Sequence, residues 1–298
     1  MAELSIKGIN KSFSKKQILK GFSLECRNEI LFLAGKNGAG KTTLLRLALE
    51  LDKDYTGLIT YGGNAFHTCR SRVGVVFDEP HFYSRLSGRD NIDIFAPACK
   101  KDKDYYNKVM NDLQMDQHLL GQKVSEYSLG QRHRLAVALA IMNKPDYLFL
   151  DEPTIGLDPI SWQLVRQCII DIKNRNGAVI ITGQDYSEMQ KLADKMVILH
   201  NGSAAYSGSV DDLIEKFPYD IRIESKQEME EGTALLKEKE KSTLGNTIYT
   251  FSVKKQDVNS FIDHMRTAYT IESLEVNKIG LQEAFLKVVG EEKACGTV

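Results

Sequence analysis

No apolar run in the 298 residues approaches the ~18–20 that a membrane-spanning helix needs, and this absence excludes an integral membrane protein built of helices. Charge of one sign is also missing. The 39 Lys and Arg nearly balance the 40 Asp and Glu, leaving a formal net charge of −1. Bulk charge therefore does not draw the chain to nucleic acid or to an anionic membrane, and no nucleic-acid partner is expected. Cysteine is sparse, odd in number and scattered: Cys26, Cys69, Cys99, Cys168 and Cys295 contain no CxxC pair. That excludes a disulfide framework and a zinc site of the usual spacing. The six histidines lack HxxxH-type ligand spacing and read as structural or surface residues. Met1 to Asn10 alternates like a strand, unlike a secretory signal with a basic start and apolar middle. There is no fixed-period repeat and no low-complexity tract. A soluble, cytosolic chain of about two domains is the expectation.

What is present begins at Gly35-Lys36-Asn37-Gly38-Ala39-Gly40-Lys41-Thr42, a complete GxxxxGK[ST] phosphate loop. It follows the apolar run Ile30-Leu31-Phe32-Leu33-Ala34 and opens into Thr43-Leu44-Leu45-Arg46-Leu47, the strand–loop–helix context that this motif requires. Glycine at 35, 38 and 40 lets backbone N–H groups turn toward a phosphate. The helix beginning near Lys41 points its positive dipole end at the same anion. Lys41 is expected on the outer phosphates and the Thr42 hydroxyl on Mg²⁺. A glycine-rich turn that binds nothing is the bland alternative, and the flanking sequence argues against it.

Short strands are expected over Leu4 to Ile9, Gln17 to Cys26, Ile30 to Ala34, Gly57 to Tyr61 and Val73 to Phe77. From about Leu86 to Met142 the periodicity turns helical, with Tyr105, Val109 and Leu113 four apart and Leu135, Leu139 and Met142 on one face. Strand and helix then alternate: Tyr147 to Leu150, the helix face Leu164, Val165, Cys168, Ile169 and Ile172, Ala178 to Ile181, and Met196 to Leu199. An α/β fold follows, a parallel sheet flanked by helices and interrupted by a helical insert at about 85–145. The texture changes near Phe217-Pro218. Tyr219, Ile221 and Ile223 alternate with polar residues, as do Tyr249, Phe251 and Val253, while Val258, Phe261, Ile262 and Met265 share a helix face, as do Leu281, Ala284, Phe285 and Val288. Lys226 to Lys241 reads as a charged, helix-like stretch. Residues 217–298 thus form an expected α+β accessory domain after a first domain of 1–216. Regulation, dimerisation and mere scaffolding remain open for it.

Further motifs narrow the class. Tyr127-Ser128-Leu129-Gly130-Gln131-Arg132 leads into an amphipathic helix; Tyr147-Leu148-Phe149-Leu150-Asp151-Glu152-Pro153-Thr154 and Gly156-Leu157-Asp158-Pro159 follow. In this order and spacing the chain resembles the ATP-binding-cassette (ABC) transporter ATPase family over roughly residues 1–215. The resemblance implies a cassette with a mixed sheet core, an antiparallel β subdomain and a helical subdomain. It implies ATP and Mg²⁺ as ligands, with Lys36, Asn37, Ala39 and Thr43 lining the phosphate site beside the motif residues. Asp151 would hold Mg²⁺ through water and Glu152 would act as general base. Ser128, Gly130 and Gln131 would meet the γ-phosphate held by a second ATPase subunit, identical or paralogous, across an interface that Asp158 crosses. Phe13 matches the aromatic that stacks on adenine; a strand-edge core aromatic is the alternative.

Two positions depart from the family's majority pattern. Asp78 stands where most relatives carry a Mg²⁺-ligating glutamine. With Glu79-Pro80-His81-Phe82-Tyr83 and Tyr127-Ser128-Leu129-Gly130 it is similar to the bacitracin and lantibiotic export and immunity subfamily, of the ABC-2 type. An acid there still offers oxygen to Mg²⁺. Gln184 stands where relatives carry a histidine on the γ-phosphate; it can donate a hydrogen bond but carries no proton or charge, so slower hydrolysis is expected. The leading reading is the ATPase subunit of an exporter of peptide or antibiotic-like molecules. A separate membrane permease is its partner, and its place is the inner face of the cell membrane. A non-transport ABC ATPase and a low-activity regulatory subunit are the alternatives.

Overall fold

The computed structural model describes residues 2–14, 16–97, 102–229, 235–241 and 246–291. Met1, Cys99 and Cys295, named above, lie outside the described residues. The chain divides into two compact units, Met1–Gly208 and Ser209–Val298.

In the first unit, β1 (Glu3–Phe13) and β2 (Lys16–Arg27) form an antiparallel hairpin, followed by β3 (Ile30–Ala34) and α1 (Lys41–Ala48). β4 (Thr56–Tyr61) returns to pair antiparallel with β1, giving a three-stranded sheet of order β2-β1-β4. There follow α2 (Phe66–Cys69), β5 (Val73–Val76) and the helical insert α3 (Gly88–Phe95), α4 (Lys103–Asp112), α5 (Gln117–Gly121) and α6 (Leu129–Ile141). The chain then alternates through β6 (Tyr147–Asp151), α7 (Pro159–Asn174), β7 (Ala178–Thr182), α8 (Tyr186–Leu192), β8 (Lys195–His200) and β9 (Ser203–Ser209). A second sheet has the order β5-β6-β7-β3-β8-β9, with the first five strands parallel. Every residue of β3, β6 and β7 is buried. That is why these strands read as unbroken apolar runs rather than alternating ones: both faces are covered.

One core joins the two sheets. Leu4, Ile6, Phe22 and Leu24 of the antiparallel sheet meet Leu44, Leu45 and Leu47 of α1 and Leu31, Leu33, Phe149 and Ile180 of the parallel sheet. Each such side chain contributes about 1.5–3 kcal/mol by leaving water. At the crossing of β5 and α6, a Cβ on Gly74 would lie 2.3 Å from the Ala140 carbonyl oxygen, so the helix that follows Ser128 rests on bare backbone there. The register aligns strand ends: Asp151 pairs with Thr182, and Leu33 with Thr182. The loop after β3, the acids ending β6 and the end of β7 therefore emerge at one sheet edge, where α/β folds bind ligands.

The second unit holds α9 (Val210–Glu215), β10 (Tyr219–Ser225), β11 (Leu236–Lys241), β12 (Thr247–Val253), α10 (Val258–Ala268), β13 (Ser273–Asn277) and α11 (Leu281–Glu291). Its sheet has the order β11-β12-β10-β13 and is antiparallel. Ile221, Ile223, Tyr249, Phe251 and Val253 pack with Val258 and Met265 of α10, as their periodicities implied. Residues 209–216, assigned by sequence to the first domain, fall in this unit: Val210, Leu213 and Ile214 are buried and α9 packs on α11. The helix-like reading of Lys226 to Lys241 is corrected over its described part. Leu236–Lys241 is a strand at the sheet edge, paired with β12. Its Lys-Glu alternation has period two as well as helical charge spacing, and charge on an edge strand opposes pairing with another chain.

Candidate nucleotide-binding site

Gly40 is the N-cap of α1 at φ 109°, a left-handed conformation, and a Cβ there would lie 2.9 Å from Ile18 Cγ2. Only glycine satisfies both demands. The loop thus delivers Lys41 and Thr42 into the first turn of α1, where unpaired N–H groups converge. The buried Lys41 ammonium donates to the Gly35 carbonyl at 2.9 Å and lies 3.9 Å from Glu152 Oε1.

Across the sheet edge, the Thr42 hydroxyl donates to Asp151 Oδ2 at 2.9 Å. The Thr182 hydroxyl donates to the other oxygen, Oδ1, and accepts from the Glu152 N–H at 3.2 Å. Asp151 is 1% exposed, and among the described residues no Lys or Arg forms an ion pair with it. A buried carboxylate held by two hydroxyls and lacking a cation is suited to a hard metal ion. Glu152 sits at φ 52°, uncommon for a residue with a side chain. The Thr182 carbonyl, 3.1 Å from the Glu152 N–H, helps to hold that turn. Burial pushes the Glu152 carboxyl above its ordinary pKa; Lys41 opposes this, Asp151 and Asp78 add to it, and a hydrogen bond from Gln184 lowers it.

Gln184 Nε2 donates to Asn37 Oδ1 at 2.7 Å. The substituted position therefore bridges the phosphate loop and Glu152. Asp78 is exposed and its carboxylate accepts from the Glu79 N–H at 2.9 Å; only its charge reaches Glu152. Phe13 is 49% exposed, which removes the core-aromatic alternative.

Ser128, Gly130 and Gln131 form a separate group. Ser128 caps α6: its side chain accepts from the Gln131 N–H, and Gln131 Oε1 accepts from the Ser128 N–H at 2.8 Å. Among the described residues none of the three hydrogen-bonds the phosphate loop. A Cβ on Gly130 would stand 3.6 Å from Asp158 Oδ2. Asp158 itself caps α7, accepting from the Ile160 and Ser161 N–H groups and the Ser161 hydroxyl. These bonds, the Ser161 backbone first, pull its pKa down.

Two residues of the site escaped the sequence reading. Thr182 orients both acids, and only the Asp151–Thr182 register reveals it. His133, on α6, is 2% exposed and lies 3.1 Å through Nε2 from the Asp78 carbonyl, joining the helix after Ser128 to the loop after β5. Burial lowers its pKa. A lone histidine without ligand spacing gave no signal of this.

The comparisons agree with this geometry. A family model described as ABC transporter matches residues 19–155. The chain is similar to the bacitracin transport ATP-binding protein BcrA of Enterococcus faecalis, 28% identical over 96% of each chain. It is also similar to the lantibiotic transport ATP-binding protein SrtF of Streptococcus pyogenes, 30% identical over 75% of this chain and all of that one. A solved ATP-binding subunit of an ABC transporter shares the fold at TM-score 0.65 and 22% identity, over 72% of this chain and 92% of that one. Among the described residues no helix is long and apolar enough to cross a membrane. With its phosphate loop and paired acids assembled at one sheet edge, the chain belongs to the ABC transporter family, as one of its ATP-binding and ATP-hydrolysing subunits.

Proposed function

We propose that this subunit drives export of a peptide or antibiotic-like molecule through a separate membrane permease, from the cytoplasmic face of the membrane. The substrate class rests on relatives named for bacitracin and lantibiotic transport, one of them similar over almost the whole chain. The observation that carries the chemistry is the Lys41–Glu152–Asp151–Thr42–Thr182 constellation. Lys41 and the N–H groups of Gly35 to Thr43 hold the outer phosphates, and Phe13 offers its ring to adenine. Thr42, Asp151 and Asp78 are the oxygen donors for Mg²⁺, whose charge would screen the phosphates when bound. Glu152 accepts the proton of the attacking water. Its raised pKa makes it a stronger base than a solvated carboxylate. Gln184, hydrogen-bonded to Asn37, is placed to donate to the γ-phosphate.

Ser128, Gly130 and Gln131 close on one another rather than on this chain's loop, which leaves them for the nucleotide of a second subunit. Around them Leu129, Ile155 and Ile160 are 45%, 51% and 66% exposed, apolar surface that a partner subunit would cover. Toward the membrane, Tyr83 stacks on Phe95 at 5.7 Å. The buried Asn91 side chain holds this loop, accepting from the Tyr83 N–H and donating to the Tyr83 and Ser87 carbonyls. That ordered aromatic step is the surface for the permease. The unit from Ser209 onward is an accessory to the cassette.

Glu152→Gln tests the core of this reading. It should keep MgATP affinity, stop hydrolysis and produce a larger species in size-exclusion chromatography with ATP. Hydrolysis at the wild-type rate would assign the base elsewhere, and a species of unchanged size would remove the ATP-held dimer.

A further inference from the structure

Lysine in a strand interior is normally solvated, yet the Lys11 side chain is 2% exposed. Four oxygens surround its ammonium: Asp52 Oδ1 and Oδ2, each at 2.9 Å, the Asp54 carbonyl at 2.6 Å and Asp54 Oδ2 at 3.3 Å. Hydrogen bonding to Asp52 leads the causes that raise its pKa, so it stays charged. The two aspartates lie just beyond the C-terminal end of α1, the helix whose other end carries Lys41 and Thr42. Lys11 and Phe13 lie two residues apart at the C-terminal end of β1, where the pairing with β2 is irregular. The Lys11 ammonium stands over the Phe13 ring, 4.7 Å from its centroid. One face of an exposed ring is thus occupied by a fixed cation.

We propose that Lys11 is a positioning residue for the nucleobase: it fixes the Phe13 ring against the far end of the phosphate-loop helix and leaves the opposite ring face as the stacking platform. This rests on the assignment of Phe13 to adenine made above. A cation on one face draws π density from the ring, which favours an electron-rich purine on the other. The Asp52–Lys11–Phe13 chain also sets the distance between base platform and phosphate loop, because α1 spans the two. Neither effect concerns the phosphates themselves.

The test compares binding of MgATP and of inorganic tripolyphosphate, which has no base, to wild type, Lys11→Met, Phe13→Ala and the double variant. Lys11→Met should weaken MgATP about three- to tenfold, the scale of one cation–π contact. Tripolyphosphate binding should be unchanged. With Phe13→Ala already present, Lys11→Met should add no further loss, and Lys11→Arg should restore most of the affinity. Because Lys11→Met strands the Asp52 carboxylate, Lys11→Met/Asp52→Asn is measured beside it and should show the same selective loss. Equal weakening of both ligands, or an undiminished Lys11→Met effect without the Phe13 ring, overturns the proposal. If Phe13→Ala weakens MgATP alone while Lys11→Met changes nothing, the lysine is a bystander and the adenine assignment stands. If Phe13→Ala itself leaves MgATP untouched, the adenine assignment fails first.

Discussion

Replacing Thr182 by valine keeps the shape of the side chain and deletes one hydroxyl. That hydroxyl donates to Asp151 Oδ1 and accepts from the Glu152 N–H at 3.2 Å. The backbone bond from Glu152 to the Thr182 carbonyl, 3.1 Å, survives the change, so the left-handed turn at Glu152 keeps one of its two restraints. Thr42 still donates to Asp151 Oδ2 at 2.9 Å. What is lost is a hydrogen bond to a buried charge, about 1.5–3 kcal/mol. Expressed in the barrier, this is roughly a tenfold to hundredfold fall in kcat. The loss should fall on turnover and on the Mg²⁺ concentration needed for half activity. Thr182→Ser, which restores the hydroxyl, should recover most of both. Steady-state phosphate release across a Mg²⁺ titration reads this directly, with thermal unfolding as the control for packing. Turnover of Thr182→Val within twofold of wild type, at unchanged Mg²⁺ demand, would mean that β7 orients neither acid.

Gln184→Ala should lower turnover by about tenfold to hundredfold, the loss of one hydrogen bond to a charged group, whereas Gln184→His should retain or raise it; equal rates for all three proteins would make the glutamine a bystander. The acid limb of kcat/KM should lie above the pH of an ordinary carboxylate. Burial raises the Glu152 pKa, so its ionised, proton-accepting form is lost at a higher pH as pH falls. A limb at the solvated-carboxylate position would place the base elsewhere. Tyr83→Ala should abolish transport in membranes holding the permease while sparing the ATPase rate of the isolated subunit, because the ring is 55% exposed and stacks on Phe95, itself exposed. Equal loss of both activities would assign Tyr83 to packing.

The parts of this molecule that were legible in the sequence are those whose physics is local. A five-residue apolar run before a glycine-rich loop is a buried parallel strand feeding a helix, and the structure has β3 and α1 there. The acids at 151 and 152 are adjacent in the chain, and the turn that separates their roles is made at Glu152 itself. Thr182 and His133 were illegible because their meaning lies in a partner far along the chain, Asp151 in one case and the Asp78 carbonyl in the other. Lys226 to Lys241 misled for a different reason. Alternating Lys and Glu satisfy helical charge spacing and edge-strand alternation at once, and the register with β12 decides between them over Leu236–Lys241. Asp158 shows how one residue carries two demands. As the cap of α7 its carboxylate already accepts from the Ile160 and Ser161 N–H groups and the Ser161 hydroxyl within its own chain. Any contact it makes across a subunit interface must therefore draw on its remaining acceptor capacity, and replacing it would loosen the helix start as well as the interface. A role at that interface is separable from capping only by comparing Asp158→Asn, which retains a good capping residue and removes the charge, with Asp158→Ala, which removes both.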